Sequence, residues 1–151
     1  ILTKYNLPII LVLMFLVFSI MLPNSFPTLF NVKSILNYQS VVVLLALAVM
    51  IPIAAGHFDL SVGYNVCLLH ILTIGLITKQ GLPWPLVIVI VLATGSLIGF
   101  ISGVLVTRIG IDSFIATLGV GNLLYGLAFW YSDGKQVLGE LPEGFTKLIP
   151  V

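Results

Sequence analysis

The stretch QGLPWPLVIVIVLATGSLIGFISGVLVT, residues 80–107, contains 28 consecutive positions without a charged side chain and lies between Lys79 and Arg108. A helix of about 20 mostly apolar residues is long enough to cross roughly 30 Å of hydrocarbon. A charge at the bilayer centre costs on the order of 2.5–3.5 kcal/mol on insertion scales, so charged residues are expected at the ends of such a segment. The stretch therefore predicts a transmembrane helix.

Four further uncharged stretches accompany it along the chain. They contain 28, 25, 19 and 20 positions and occupy residues 5–32, 34–58, 60–78 and 113–132. Composition agrees, because 60% of the residues are hydrophobic and only 7% are charged, whereas an ordinary soluble domain carries about 25% charged residues. The sequence therefore predicts an all-α fold, a polytopic transmembrane helix bundle with about five spans.

The predicted domain organisation is a helical bundle over residues 1–131 followed by an extramembrane segment. The spans are expected at about 5–22, 35–55, 62–78, 84–106 and 113–131. Residues 132–151 are expected to lead to a C-terminal half that is absent, because the chain opens on Ile1 rather than methionine and stops at the apolar run LIPV. An N-terminal fragment of a longer membrane protein is therefore predicted.

Charge and motif content exclude several function classes. The net charge of +1 is too small to indicate a nucleic-acid partner. The sequence has no phosphate-binding glycine-rich loop that ends in Lys-Ser or Lys-Thr, no nucleophile elbow and no His-Glu-x-x-His motif. The chain is therefore predicted not to be an enzyme and to need no cofactor.

Loop charges give a prediction of orientation. Because successive spans alternate in direction, two cations, Lys4 and Arg108, share one side of the membrane, and four lysines lie on the other. The positive-inside rule then favours an N-terminus outside the cytoplasm.

Residues 56–63, GHFDLSVG, interrupt the apolar pattern between the second and third predicted spans. Asp59 directly precedes an apolar run, where a carboxylate accepts hydrogen bonds from first-turn N–H groups, and Ser61 offers a second cap. Two interpretations stay open: a cap at the membrane edge, or part of a translocation pathway or gate, since acidic residues at such depths are often functional. His57 and Asp59 are too few ligands for zinc, so no metal site is predicted.

Four of the polar residues within the spans are candidate site residues: Asn65 and His70 in the third span, and Asn122 and Tyr125 in the fifth. Polar side chains at this depth usually face the interior of a bundle. They are interpreted either as interhelical hydrogen-bonding groups or as groups that line a polar pathway.

Three glycines of the fourth span share one helix face. Gly95, Gly99 and Gly103 are four residues apart, and residues at i, i+4 and i+8 lie above one another. Small residues let a second helix approach closely. The pattern predicts a helix-packing face, with a partner in this chain or in another subunit, and a substrate-lining face is the alternative.

Five segments also match, in order, the pattern of a known family. The run AGHFDLSVG at residues 55–63 is similar to its GGIDLSVG signature, with His57 in place of the usual glycine and Phe58 in place of isoleucine. The other segments are FNVKSILN at 30–37, GFISGVLV at 99–106 with Ser102 where asparagine is common, IDSFIATLG at 111–119, and LPEGF at 141–145. The chain thereby resembles the membrane permease subunit of ATP-binding cassette importers for ribose and other simple sugars, within the branched-chain amino-acid and sugar permease superfamily.

This resemblance implies a subunit that forms the translocation pathway for a monosaccharide in the bacterial inner membrane. It implies pairing with a second permease subunit, identical or different, two ATP-binding cassette ATPase subunits and an extracytoplasmic sugar-binding protein. It also implies a cytoplasmic N-terminus, opposite to the orientation that the loop charges favour. Two alternatives remain: an ion-coupled secondary carrier with Asp59 and His70 as coupling residues, and a non-transporting membrane scaffold that recruits partners through the glycine face.

Overall fold

The fold was described with a computed structural model, which covers residues 5–147, so the sequence-based expectations about Ile1 and residues 148–151 lie outside it. The described chain is helical, without a β-strand between residues 5 and 147, which confirms the all-α prediction. The helices are α1 (Asn6–Met21), α2 (Leu29–Ala54), α3 (Val62–Thr78), α4 (Trp84–Thr107), α5 (Ser113–Ser132) and the short α6 (Glu143–Thr146).

Three of these helices, α2, α4 and α5, are long and apolar enough to cross a membrane. The helices α1 and α3 are apolar but shorter, with 16 and 17 residues, which at about 1.5 Å per residue is roughly 24–26 Å. The polytopic helical fold is thus confirmed, whereas the spanning of α1 and α3 stays a prediction. Helix α2 begins at Leu29, earlier than the predicted start of the second span near residue 35, and this added part contains Asn31 and Lys33.

The chain divides into two compact units, Ile1–Leu47 and Ala48–Val151. In the first, the turn between α1 and α2 is fixed by Asn31, whose Nδ2 donates to the Phe26 carbonyl (2.8 Å). The ring of Phe26 packs 5.5 Å from that of Phe15 and 5.4 Å from that of Phe18. Neither α1 nor α2 buries a side chain within the described residues. Their apolar surface is therefore left for lipid or for other helices.

The second unit is built on the contact between α3 and α5. Leu68 of α3 and Leu124 and Ala128 of α5 form its buried core. Tyr64, near the beginning of α3, packs against Gly121 near the middle of α5, and Tyr131, near the end of α5, packs against Gly75 near the end of α3. These contacts show that α3 and α5 run parallel, as the first and third helices of an up-down-up arrangement must.

Helix α4 and the segment after α5 complete this unit. Gly95 of α4 faces the Leu69 side chain of α3. After α5 the chain folds back over the end of the unit: Val137 is buried, Gly139 lies against Thr78, and the rings of Phe145 and Trp84 lie 6.4 Å apart. Residues 133–147 therefore cover the end of the unit where α3 finishes and α4 starts.

Candidate functional site

The segment AGHFDLSVG, residues 55–63, begins directly after the end of α2 and turns at Gly56. Gly56 has a φ of +81°, a conformation in which a Cβ atom is strained. Its N–H donates to the Ile53 carbonyl (2.9 Å), while the N–H of His57 donates to the Pro52 carbonyl (2.9 Å). This pair of bonds is a Schellman motif, which satisfies the last carbonyls of a helix and redirects the chain. Residues 57–61 are consequently non-helical and connect the end of α2 to the beginning of α3.

Two hydroxyl groups of α5 hold this irregular segment. The Phe58 N–H donates to Ser113 Oγ (3.1 Å) and the Leu60 N–H donates to Thr117 Oγ1 (3.1 Å). Thr117 Oγ1 in turn donates to the Ser113 carbonyl (2.7 Å), and both side chains are buried. Because an unpaired backbone N–H is costly away from water, these hydroxyls allow non-helical backbone here. Neither residue is among the candidates that the sequence patterns predict, and the i, i+4 spacing of the two is the signal that could identify them.

Asp59 does not cap α3, which differs from the first sequence-based interpretation. The N-cap position belongs to Ser61, whose side chain makes no capping bond. Instead, Asp59 Oδ1 accepts from the Ser61 N–H (2.8 Å) and from Ser61 Oγ (2.6 Å). The reason is distance along the chain, since Asp59 lies two residues before the N-cap and its carboxylate meets the N–H of the N-cap residue. Asp59 therefore stabilises the turn that precedes the helix.

A true acidic cap occurs at α5. Asp112 is its N-cap residue, and its Oδ1 accepts from the N–H groups of Phe114 (3.0 Å) and Ile115 (3.2 Å). The sequence analysis placed the start of the fifth span at the next residue, Ser113, without recognising the cap. An acidic residue at the N-cap position accepts hydrogen bonds from first-turn N–H groups, and this rule identifies Asp112 once the start of α5 is known.

Loss of this cap has a measurable consequence. We expect Asp112→Ala to lower the free energy of unfolding by about 1 kcal/mol, because two first-turn N–H groups lose their acceptor. Asp112→Asn should retain most of the stability, since its amide oxygen can accept the same bonds. Thermal unfolding of both variants in the same detergent tests this, and an equal loss for alanine and asparagine would show that the charge, not the hydrogen bonds, matters.

Between the segment and α4 lies a cleft of about 320 Å³, here called the break cleft. Residues from α2, the segment, α4 and α5 line it, among them His57, Phe58, Asp59, Gly99, Ser102, Gly103 and Thr117. A Cβ atom built on Gly99 or Gly103 would meet nothing within 4 Å, whereas one on Gly95 would lie 2.9 Å from Leu69. The predicted glycine face is thus divided: Gly95 packs within the chain, while the other two glycines form an open wall.

The remaining predicted site residues lie elsewhere, so the cleft unites only Asp59 with part of the glycine face. Ser61 is buried behind Asp59, and Asn65 is half-buried on α3, with its Oδ1 lacking a hydrogen-bond partner among residues 5–147. The other three residues, His70, Asn122 and Tyr125, are exposed. Asn122 Nδ2 donates to the Leu118 carbonyl of its own helix, and the Tyr125 ring packs edge-on against Tyr64. Their proposed roles in a pathway stay predictions.

Comparison with known proteins gives the family. Residues 31–146 match the family described as branched-chain amino acid transport system / permease component. The chain is 34% identical over 129 residues to the ribose import permease protein RbsC of Haemophilus influenzae, covering 85% of this chain and 39% of that protein. It is 30% identical over 132 residues to the fructose import permease protein FrcC of Rhizobium meliloti, with coverages of 87% and 37%.

A third relative is the galactose/methyl galactoside import permease protein MglC of Escherichia coli, 31% identical over 135 residues, with coverages of 81% and 40%. The chain therefore spans about two fifths of the length of these relatives. No solved structure matches it. The resemblance to sugar importer permeases is confirmed. Because the family match covers residues 31–146, which is most of the sequence, the chain belongs to the family of branched-chain amino acid transport system permease components.

Proposed function

We propose that this chain forms part of the transmembrane pathway of an ATP-binding cassette importer that brings a monosaccharide, such as ribose, across the bacterial inner membrane. The observation that carries the proposal is the family match over residues 31–146, together with relatives whose names specify import of ribose, fructose and galactose. The break cleft supports it, because irregular backbone with paired N–H groups is what membrane proteins tolerate beside a cavity.

The proposed partners are a second permease subunit, two ATPase subunits and an extracytoplasmic sugar-binding protein. Two features of the chain support partners of this kind. Residues 1–151 contain no phosphate-binding loop, so they do not supply an ATP-binding site themselves, which is compatible with separate ATPase subunits. In addition, the helices α1 and α2 bury no side chain within residues 5–147, which leaves apolar surface that other transmembrane helices can cover.

Uptake by the assembled complex tests the proposal. We expect vesicles that contain this chain in its native complex to accumulate labelled ribose, fructose or galactose only when ATP is present inside and the sugar-binding protein is outside. Collapse of the ion gradients should leave uptake unchanged. Uptake that follows an ion gradient without ATP would instead identify a secondary carrier, and an intact complex that accumulates none of the three sugars would favour a scaffold.

A further inference from the structure

We propose that the break cleft is a subsite for a single monosaccharide, recognised through Asp59, His57 and Ser102. This inference rests on the proposed function and gives it a location and a chemistry. A volume of about 320 Å³ lies at the lower end of ligand pockets, which hold about 300–1,000 Å³. The cleft therefore suits one sugar ring rather than a chain of several.

Ser102 supplies the observation that points to a ligand. It is 6% exposed, yet its Oγ has no hydrogen-bond partner among residues 5–147. Other hydroxyls in these helices, those of Thr73, Thr94 and Thr107, donate to the carbonyl four residues earlier. A buried hydroxyl without a partner costs about 1–3 kcal/mol, so a partner in the working protein is expected.

The two glycines on either side of Ser102 leave the cleft wall open next to its buried hydroxyl. A side chain at Gly99 or Gly103 would project into open space, and both residues line the cleft together with Ser102. This flat wall of backbone can accept a sugar ring edge, and rotation of the Ser102 side chain about χ1 toward the cleft would then give the hydroxyl its missing hydrogen-bond partner.

Asp59 also lines the cleft and provides a fixed acceptor there. Its Oδ1 is held by two bonds from Ser61, and within the described chain Oδ2 has none. An ionised carboxylate has capacity for about four hydrogen bonds, and those to charged groups are shorter and stronger than neutral ones. Because Ser61 orients the carboxylate in advance, little ordering is lost when adjacent sugar hydroxyls bind.

His57 and Phe58 complete the lining with a polar and an apolar group. The imidazole makes no hydrogen bond among the described residues, so one nitrogen can donate and the other accept. Phe58 is 60% exposed, and its ring offers an apolar face to the C–H surface of a sugar. Because both side chains line the cleft, we assign to them the choice between sugars.

Cysteine protection tests the subsite. In the assembled complex with Cys67 replaced by serine, Gly99→Cys places a thiol on the cleft wall, and Gly119→Cys places one at an equally open position of α5 outside the cleft. Without the sugar-binding protein, millimolar amounts of the transported sugar should slow alkylation of Gly99→Cys several-fold. Alkylation of Gly119→Cys should not change.

Ser102→Ala in the Gly99→Cys background should weaken this protection about tenfold in sugar concentration, the loss of one hydrogen bond. Ser96→Ala, an exposed position of the same helix outside the cleft, should have no effect. Absence of protection in a complex that still transports sugar would overturn the subsite while leaving the proposed function intact. Equal protection with and without Ser102, or a Gly99→Cys thiol that is unreactive without sugar because another helix covers it, would also overturn the inference.

Discussion

Replacement of Gly121 by valine is expected to prevent the native contact between α3 and α5 and to lower the free energy of unfolding by about 3 kcal/mol. A Cβ atom at this position would lie 2.6 Å from a ring carbon of Tyr64, whereas carbon atoms in contact prefer about 3.5–4.0 Å. The clashing atom is Cδ2, and Cγ at the base of the ring would lie only 3.4 Å from the added atom, so movement of the far end of the side chain alone would not relieve the clash. The two helices would have to separate.

Thermal unfolding in detergent and the yield of folded complex measure this effect. Gly119→Val is the matched control on the same helix, because a Cβ atom there meets nothing within 4 Å. The double variant Gly121→Val with Tyr64→Ala should recover part of the loss, since the ring is then absent. A Gly121→Val protein as stable as the Gly119→Val protein would mean that α3 and α5 do not pack as described.

The helical fold could be predicted from the sequence because the cost of a charge in lipid is a local property. Each uncharged stretch between charges such as Lys79 and Arg108 carries its own signal, and no knowledge of neighbouring helices is needed. The importance of Gly121 could not be predicted in this way. Its partner is Tyr64 of another helix, and sequence spacing does not specify which helices become neighbours.

The same limit explains the mixed result for the site. The four-residue spacing predicts one shared face for Gly95, Gly99 and Gly103, but only the tertiary structure decides that the first packs and the others remain open. For the two acidic residues, the sequence did not specify the residue at which the following helix begins. Asp59 and Asp112 both precede apolar runs, and a difference of two residues in where the helix begins decides which of them is a cap.

We expect Thr117→Val to detach residues 57–61 from α5 and to cost about 2 kcal/mol of stability. Valine has nearly the same shape as threonine, but it leaves the Leu60 N–H without its acceptor in a position where Thr117 is buried. A buried donor that loses its partner costs about 1–3 kcal/mol. Under the proposed function, uptake by the complex should fall as well, since Asp59 and His57 are carried by the detached residues 57–61.

Hydrogen exchange of the Leu60 amide separates this cause from a general loss of stability. It should become faster in Thr117→Val while amides in the middle of α5 exchange as before, and Thr117→Ser, which keeps the hydroxyl, should restore slow exchange. Thr94→Val is the matched control, because Thr94 Oγ1 donates only to the Ile90 carbonyl of its own helix. If the Leu60 amide exchanged at the same rate in Thr117→Val and Thr94→Val, the hydroxyl would not be what holds the segment, and the geometry of the break cleft would need another support.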